Sequence, residues 1–177
     1  MNGVEQVDAT TLKEILSTWP KVSKEAATTT VNKYGLPNEA SLSRLTWHKN
    51  GPWKRTVVYA EEVPHEFPTP HHDVLEQYIP YKVPVDKFNE LAAFDGSVLV
   101  DRTKGEMSAR CEGEEANFLA LNLANEIVQG TKTVATARQA YGDAMQQRRT
   151  GTPPEIMQRL MFEVSAAETG ERDQAII

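Results

Sequence analysis

The stretch VPHEFPTPHHDVLEQY, residues 63 to 78, places three of the chain's four histidines, His65, His71 and His72, within eight residues, with Asp73 directly after them. Imidazole and carboxylate suit zinc, iron or manganese, so these residue types fit a metal centre or a small enzymatic or ligand-binding site. The spacing is less favourable. Pro64, Pro68 and Pro70 hold the segment extended, and adjacent side chains of an extended chain point to opposite sides. Only one of His71 and His72 can then join His65, and a third ligand has to come from elsewhere. Asp73 also suits a turn, accepting from nearby backbone N–H groups. The favoured reading is a solvated lead-in to a strand, with no cofactor. The competing reading is a divalent transition metal held by His65, His71, His72 and Asp73.

Four other groups could do chemistry, and each has a plainer use. Cys111 could act as a nucleophile with His48 or His72 as base, but the strand pattern turns it toward the core beside Val98, where a thiol is a small inert hydrophobe. Asp101, Ser108 and Arg110 share one face of a hairpin and could bind an anion, although cross-strand pairing explains the same residues. Asn117 falls on the apolar arc of a helix near its start, where an amide can bond a ligand or fasten residues 112–116. Trp53 stands among Arg44, Lys49, Lys54 and Arg55 at a hairpin tip, a combination able to stack on bases and touch phosphates. A net charge of −6 argues against nucleic acid as a partner.

The elements that must position these residues follow from periodicity. Thr11 and Glu14 form a capping-box pattern ahead of Leu12, Ile15, Leu16 and Trp19, and a second helical stretch runs from Lys21 towards Tyr34. In SRLTWHKNGPWKRTVVYA, Pro52 cannot donate the N–H that would close an Asn50-Gly51 turn, so a loop of about 50–54 is expected. That register sets Leu45 and Trp47 opposite Tyr59 and Val57. In SVLVDRTKGEMSARC, a Lys104-Gly105 turn places Val98 and Val100 opposite Cys111 and Ala109. Leu75, Ile79, Tyr81 and Val83 mark a further strand, with Gln77 as the exception on its face. A brief helix follows in VDKFNELAAFDG. EEANFLALNLANEIVQG has an apolar arc of roughly 200° and reads as a helix covered on two sides. Thr133 opens another helix. Thr152-Pro153-Pro154-Glu155 reads as the start of a last one, with Ile156, Met157, Leu160, Met161 and Val164 as its apolar stripe.

Strands grouped together and flanked by helices give an α+β fold with a mostly antiparallel sheet of about five strands, two hairpins plus one strand, and helices on one face. The expected division is a helical extension over 1–35, a core over 36–150, and an amphipathic helix with a frayed tail over 151–177. With 177 residues, 40% of them hydrophobic and 25% charged, the chain can bury a real core. No apolar run approaches the roughly 18 residues of a membrane span. A single cysteine excludes an internal disulfide framework, and a reducing cytoplasm is the expected setting.

The blocks NGPWKRTVVY, RTKGEMSARC and NFLALNLANEIV resemble a family of bacterial hypothetical proteins, over about residues 34 to 142. The resemblance implies a bacterial cytoplasmic protein and no particular activity. The function expected from the whole reading is a non-catalytic module that binds itself or another protein through residues 153–168, with no membrane partner. The alternative is a small enzyme or ligand-binding protein working through the histidine stretch.

Overall fold

The structure, a computed structural model, describes residues 7–165 and 167–177. Residues 1–6 of the expected N-terminal extension and Ala166 of the expected last helix lie outside the described residues. Five α-helices are described: α1 (Ala9–Ser17), α2 (Lys21–Tyr34), α3 (Phe88–Phe94), α4 (Glu114–Val128) and α5 (Val134–Thr150). Six strands, β1 (Glu39–Ala40), β2 (Arg44–Asn50), β3 (Trp53–His65), β4 (His71–Pro80), β5 (Val98–Asp101) and β6 (Glu106–Cys111), form one open antiparallel sheet in the order β1-β2-β3-β4-β6-β5. This is the expected α+β class, with the two-residue β1 as the additional strand. Among the described residues no helix is long and apolar enough to cross a membrane.

Both hairpin registers differ from expectation, for local reasons. In the first, Asn50 pairs with Trp53, so the turn residues are Gly51, at φ 59°, and Pro52. Shifting the turn by one residue lets Trp53 supply the N–H that Pro52 lacks. Leu45 then lies opposite Val58 and Trp47 opposite Thr56, in place of Tyr59 and Val57. In the second hairpin, Asp101 pairs with Glu106 around the connection 102–105, and Val98 and Val100 face Ala109 and Met107. The shift from the expected register is two residues, so the apolar face keeps its membership. Asp8 begins α1, its carboxylate accepting from the N–H groups of Thr10 and Thr11 at 2.9 and 3.0 Å, which moves the cap ahead of the expected Thr11.

The chain packs as two compact units, the first reaching to Gln77 and including Arg110–Glu114, the second comprising Tyr78–Ala109 and Glu115–Ile177. In the first, the two N-terminal helices share a core with three strands: Leu12, Ile15, Trp19, Ala26 and Ala27 bury against Leu45, Trp47, Val58, Val74 and Leu75. Each large side chain withdrawn from water in this way contributes about 1.5–3 kcal/mol. The indole N–H groups of Trp19 and Trp47 donate to the carbonyls of Leu42 and Gly35, both at 2.9 Å, so neither ring is buried with an unmet donor.

In the second unit α4 buries residues all round its circumference, from Ala116 to Ile127, in keeping with its wide apolar arc. Phe94 of α3 and Tyr141 of α5 set their rings 6.4 Å apart. The helix expected over 153–168 is a correction: among the described residues of that range only Glu155–Met157 turn, as a single 3-10 turn. Buried Asn122 of α4 explains why. Its Nδ2 donates to the carbonyls of Ile156 and Arg159, both at 2.8 Å, and its Oδ1 accepts from the Met161 N–H at 2.7 Å. Backbone groups that a helix would pair with one another are bound by one amide instead. The expected frayed tail is likewise fastened. Thr169 Oγ1 donates to the Gly105 carbonyl at 2.6 Å, the Glu171 N–H donates to the Arg102 carbonyl at 3.0 Å, and Arg102 pairs with Glu171 and Asp173.

Gly105 sits at φ +63°, and a Cβ there would stand 2.1 Å from the Thr169 carbonyl carbon. Gly105→Ala therefore combines left-handed strain with a backbone clash and should cost roughly 1–3 kcal/mol. Urea denaturation measures the loss, and limited proteolysis should cut the variant near residue 169 faster than the wild type. Equal midpoints and equal cutting would show that the tail does not close on the hairpin.

Candidate metal centre

In the first unit β3 ends at His65 and β4 begins at His71, so two histidines flank the connection 66–70, their rings 5.0 Å apart between centroids. His71 and Asp73 are two residues apart on β4 and project to one side, with His72 between them on the other. Asp73 is only 1% exposed. Its Oδ1 lies 3.1 Å from His71 Nε2, and its Oδ2 lies 3.4 Å from His65 Nδ1 and 4.0 Å from Arg110 Nε. One ligand atom from each of His65, His71 and Asp73 falls within 4.8 Å of the other two.

The protonation of His71 follows from its neighbours. Its Nδ1 lies 2.8 Å from the Thr69 carbonyl, which can only accept, so Nδ1 carries a hydrogen. Nε2 meets the Asp73 carboxylate and, at 3.3 Å, the Cys111 thiol. A lone pair on Nε2 would stand against the carboxylate lone pairs, so that nitrogen binds a proton as well. The hydrogen bond to Asp73, and after it the one to Cys111, overcome burial and raise the His71 pKa to about 11.

A metal can take the place of that proton. Tetrahedral zinc with bonds of about 2.0–2.1 Å holds its donor atoms about 3.3 Å apart, close to the 3.1 Å between His71 Nε2 and Asp73 Oδ1, while His65 Nδ1 stands 3.4 Å from the other carboxylate oxygen, Oδ2. The Thr69 carbonyl already fixes the tautomer that presents Nε2, the usual outer-sphere support of a ligating histidine. A relay from thiol through imidazole to carboxylate is not assembled, because Cys111 and Asp73 approach the same ring nitrogen.

Of the sequence candidates, the structure gathers His65, His71 and Asp73 and leaves His72 outside. The third candidate ligand is Asp73 itself, since β4 starts at His71 and makes residues 71 and 73 neighbours on one face. Arg110 borders this centre. Cys111 is buried as expected, and its partner is His71 in place of His48 or His72; His48 instead lies 2.5 Å from Glu39. Trp53 is not at an exposed tip: it is buried, and its Nε1 donates to Glu114 Oε1 at 2.6 Å, so it offers no face to a base. In the second unit, Asp101 accepts from the Lys104 N–H at 2.9 Å and closes the hairpin connection, and Asn117 is fully buried in α4.

Sequence reasoning missed Glu114, which reads as one more acid in a helix's first turn. Its Oε1 accepts from Tyr34 Oη at 2.6 Å, Trp53 Nε1 at 2.6 Å and Gln77 Nε2 at 3.1 Å, and Lys33 holds Oε2. This also accounts for Gln77, the polar exception on its strand face. Burial alone would raise the Glu114 pKa, but the bonds from Lys33, Tyr34 and Trp53 outweigh it and hold the carboxyl below 4.5.

No protein-family profile, curated protein or solved structure matches the chain.

Glu114→Gln keeps the shape and removes the charge, and should lower stability by about 1–3 kcal/mol at neutral pH. A depressed folded-state pKa stabilises above the unfolded value and ceases to do so as pH falls through the folded value. The difference between wild type and variant, read as urea midpoints from pH 7 to pH 3, should therefore shrink below about 4.5. A constant difference would mean that the carboxylate is not charged in this network.

Proposed function

We propose that the protein binds one divalent transition metal at His65, His71 and Asp73, and that it acts as a small metal-dependent enzyme or ligand-binding protein. The observation that carries this reading is the buried Asp73 carboxylate set between two histidines, one of them turned by Thr69 so that Nε2 is the nitrogen that can exchange its proton for a metal. Three protein ligands are the set found in catalytic sites, which keep a coordination position for substrate or water, whereas structural sites are closed by four. Two imidazoles and a carboxylate favour zinc or iron(II). A bacterial cytoplasm, the setting the sequence suggested, belongs to the same proposal and would keep Cys111 a thiol.

A role as a self-association or protein-interaction module through residues 153–168 has weaker support. Met157 is buried, and Asn122 fastens residues 156–161 within the second unit. Met161 is the half-exposed apolar residue of the expected stripe.

Metal content and affinity test the proposal. The full chain, dialysed against zinc or, without oxygen, against iron(II), should retain one metal per chain by elemental mass spectrometry. His65→Ala, His71→Ala and Asp73→Ala should each weaken binding by at least ~100-fold, and His72→Ala should leave it unchanged. Binding should release protons, because Nε2 of His71 gives one up. A chain that retains no metal, or a His72→Ala variant as impaired as His71→Ala, would end the proposal.

A further inference from the structure

We propose that this centre takes a small oxyanion, a carboxylate or a phosphate, bound jointly by the metal's open position and by Arg110. The inference rests on the metal reading above and adds a ligand class to it. Arg110 lies on β6 with its Nε buried, 4.0 Å from Asp73 Oδ2. That separation is an ion pair but too long for a hydrogen bond, and the buried Nε–H has no hydrogen-bond acceptor. A guanidinium held in this way keeps its planar fork available for the paired oxygens of a carboxylate or phosphate.

Charge counting gives the same sign. A divalent metal, the Asp73 carboxylate and the Arg110 guanidinium sum to about two positive charges when the imidazoles and the Cys111 thiol are neutral. That excess stands beside a carboxylate withdrawn from water, where an uncompensated charge is costly and an anionic ligand offsets it. The side chains of His65 and Arg110 are 20% and 28% exposed, while His65 Nδ1, Arg110 Nε and Asp73 are buried, so both side chains run from the surface to the centre.

The test uses the full chain loaded with cobalt(II), whose visible spectrum reports changes in coordination. Inorganic phosphate and acetate are titrated separately. Saturable spectral changes with either anion are expected, the tighter of the two identifying phosphate esters or carboxylates as the source. Arg110→Met should weaken the anion at least ~10-fold with cobalt stoichiometry unchanged, and Arg110→Lys, which keeps the charge and loses the fork, should fall between. A wild-type spectrum indifferent to both anions would overturn the inference while the metal reading stands, a result that needs no variant to fold. Equal affinity in wild type and Arg110→Met would do the same. So would a sulfur-to-cobalt charge-transfer band lost in Cys111→Ser, since the fourth position would then belong to the thiol. Failure to take up cobalt, zinc or iron would remove the metal reading and this inference together.

Discussion

A carboxylate as deeply buried as that of Asp73 can remain charged only among cations or donors, and this requirement organises one end of the first unit. His65, His71 and Arg110 all turn toward it from different strands. Neutralising Asp73 would leave the two imidazoles beside an acid with nothing to balance, so the strand ends and the acid depend on each other. Glu114 repeats the arrangement elsewhere in the same unit. There the compensating groups are a lysine, a phenol, an indole and an amide, and the carboxylate is satisfied entirely by protein donors. The contrast between the two acids is informative. Glu114 is met on both oxygens by protein donors, whereas beside Asp73 the buried Arg110 Nε–H stands at 4.0 Å, an ion-pair distance, without a hydrogen-bond acceptor.

The fold class was legible in the sequence because hydrophobic alternation and helical spacing are properties of neighbouring residues. The strands from Arg44 to Tyr59 and from Val98 to Cys111 follow that pattern, and the second hairpin keeps its face even with a register two residues off. Details of turns were harder to read. At Asn50-Gly51-Pro52 the missing N–H of proline was recognised, but moving the turn by one residue answers it as well as lengthening the loop. At the histidine stretch, the ligand types and the opposition of His71 to His72 were legible. The missing piece was where β4 begins. Starting the strand at Leu75 leaves Asp73 in a turn, and starting it at His71 puts Asp73 beside the imidazole.

What the sequence could not express was the capture of backbone or charge by a single distant side chain. The stripe Ile156, Met157, Leu160, Met161 and Val164 has helical spacing and a proline start, yet Asn122 binds the carbonyls and N–H such a helix would use for itself. Glu114 carries the first-turn signature of an acid attracted by a helix dipole, a signature that conceals its bonds to Tyr34, Trp53 and Gln77. In both cases a local signal was correct in kind and was overruled by one polar group placed by tertiary structure. Buried polar residues on apolar arcs are where such reversals are to be sought.

The positions of His65, His71 and Asp73 also divide the cluster into local and distant parts. These three lie within nine residues of chain, at the base of one short connection, so closing them into a cluster costs little loop entropy. Contacts that span the sequence close far longer loops and cost more entropy. Arg110 and Cys111 come from nearly forty residues further on and join only when β6 has found its place. The contacts of the carboxylate with its imidazoles are therefore local in the chain, and its contact with the guanidinium is long-range.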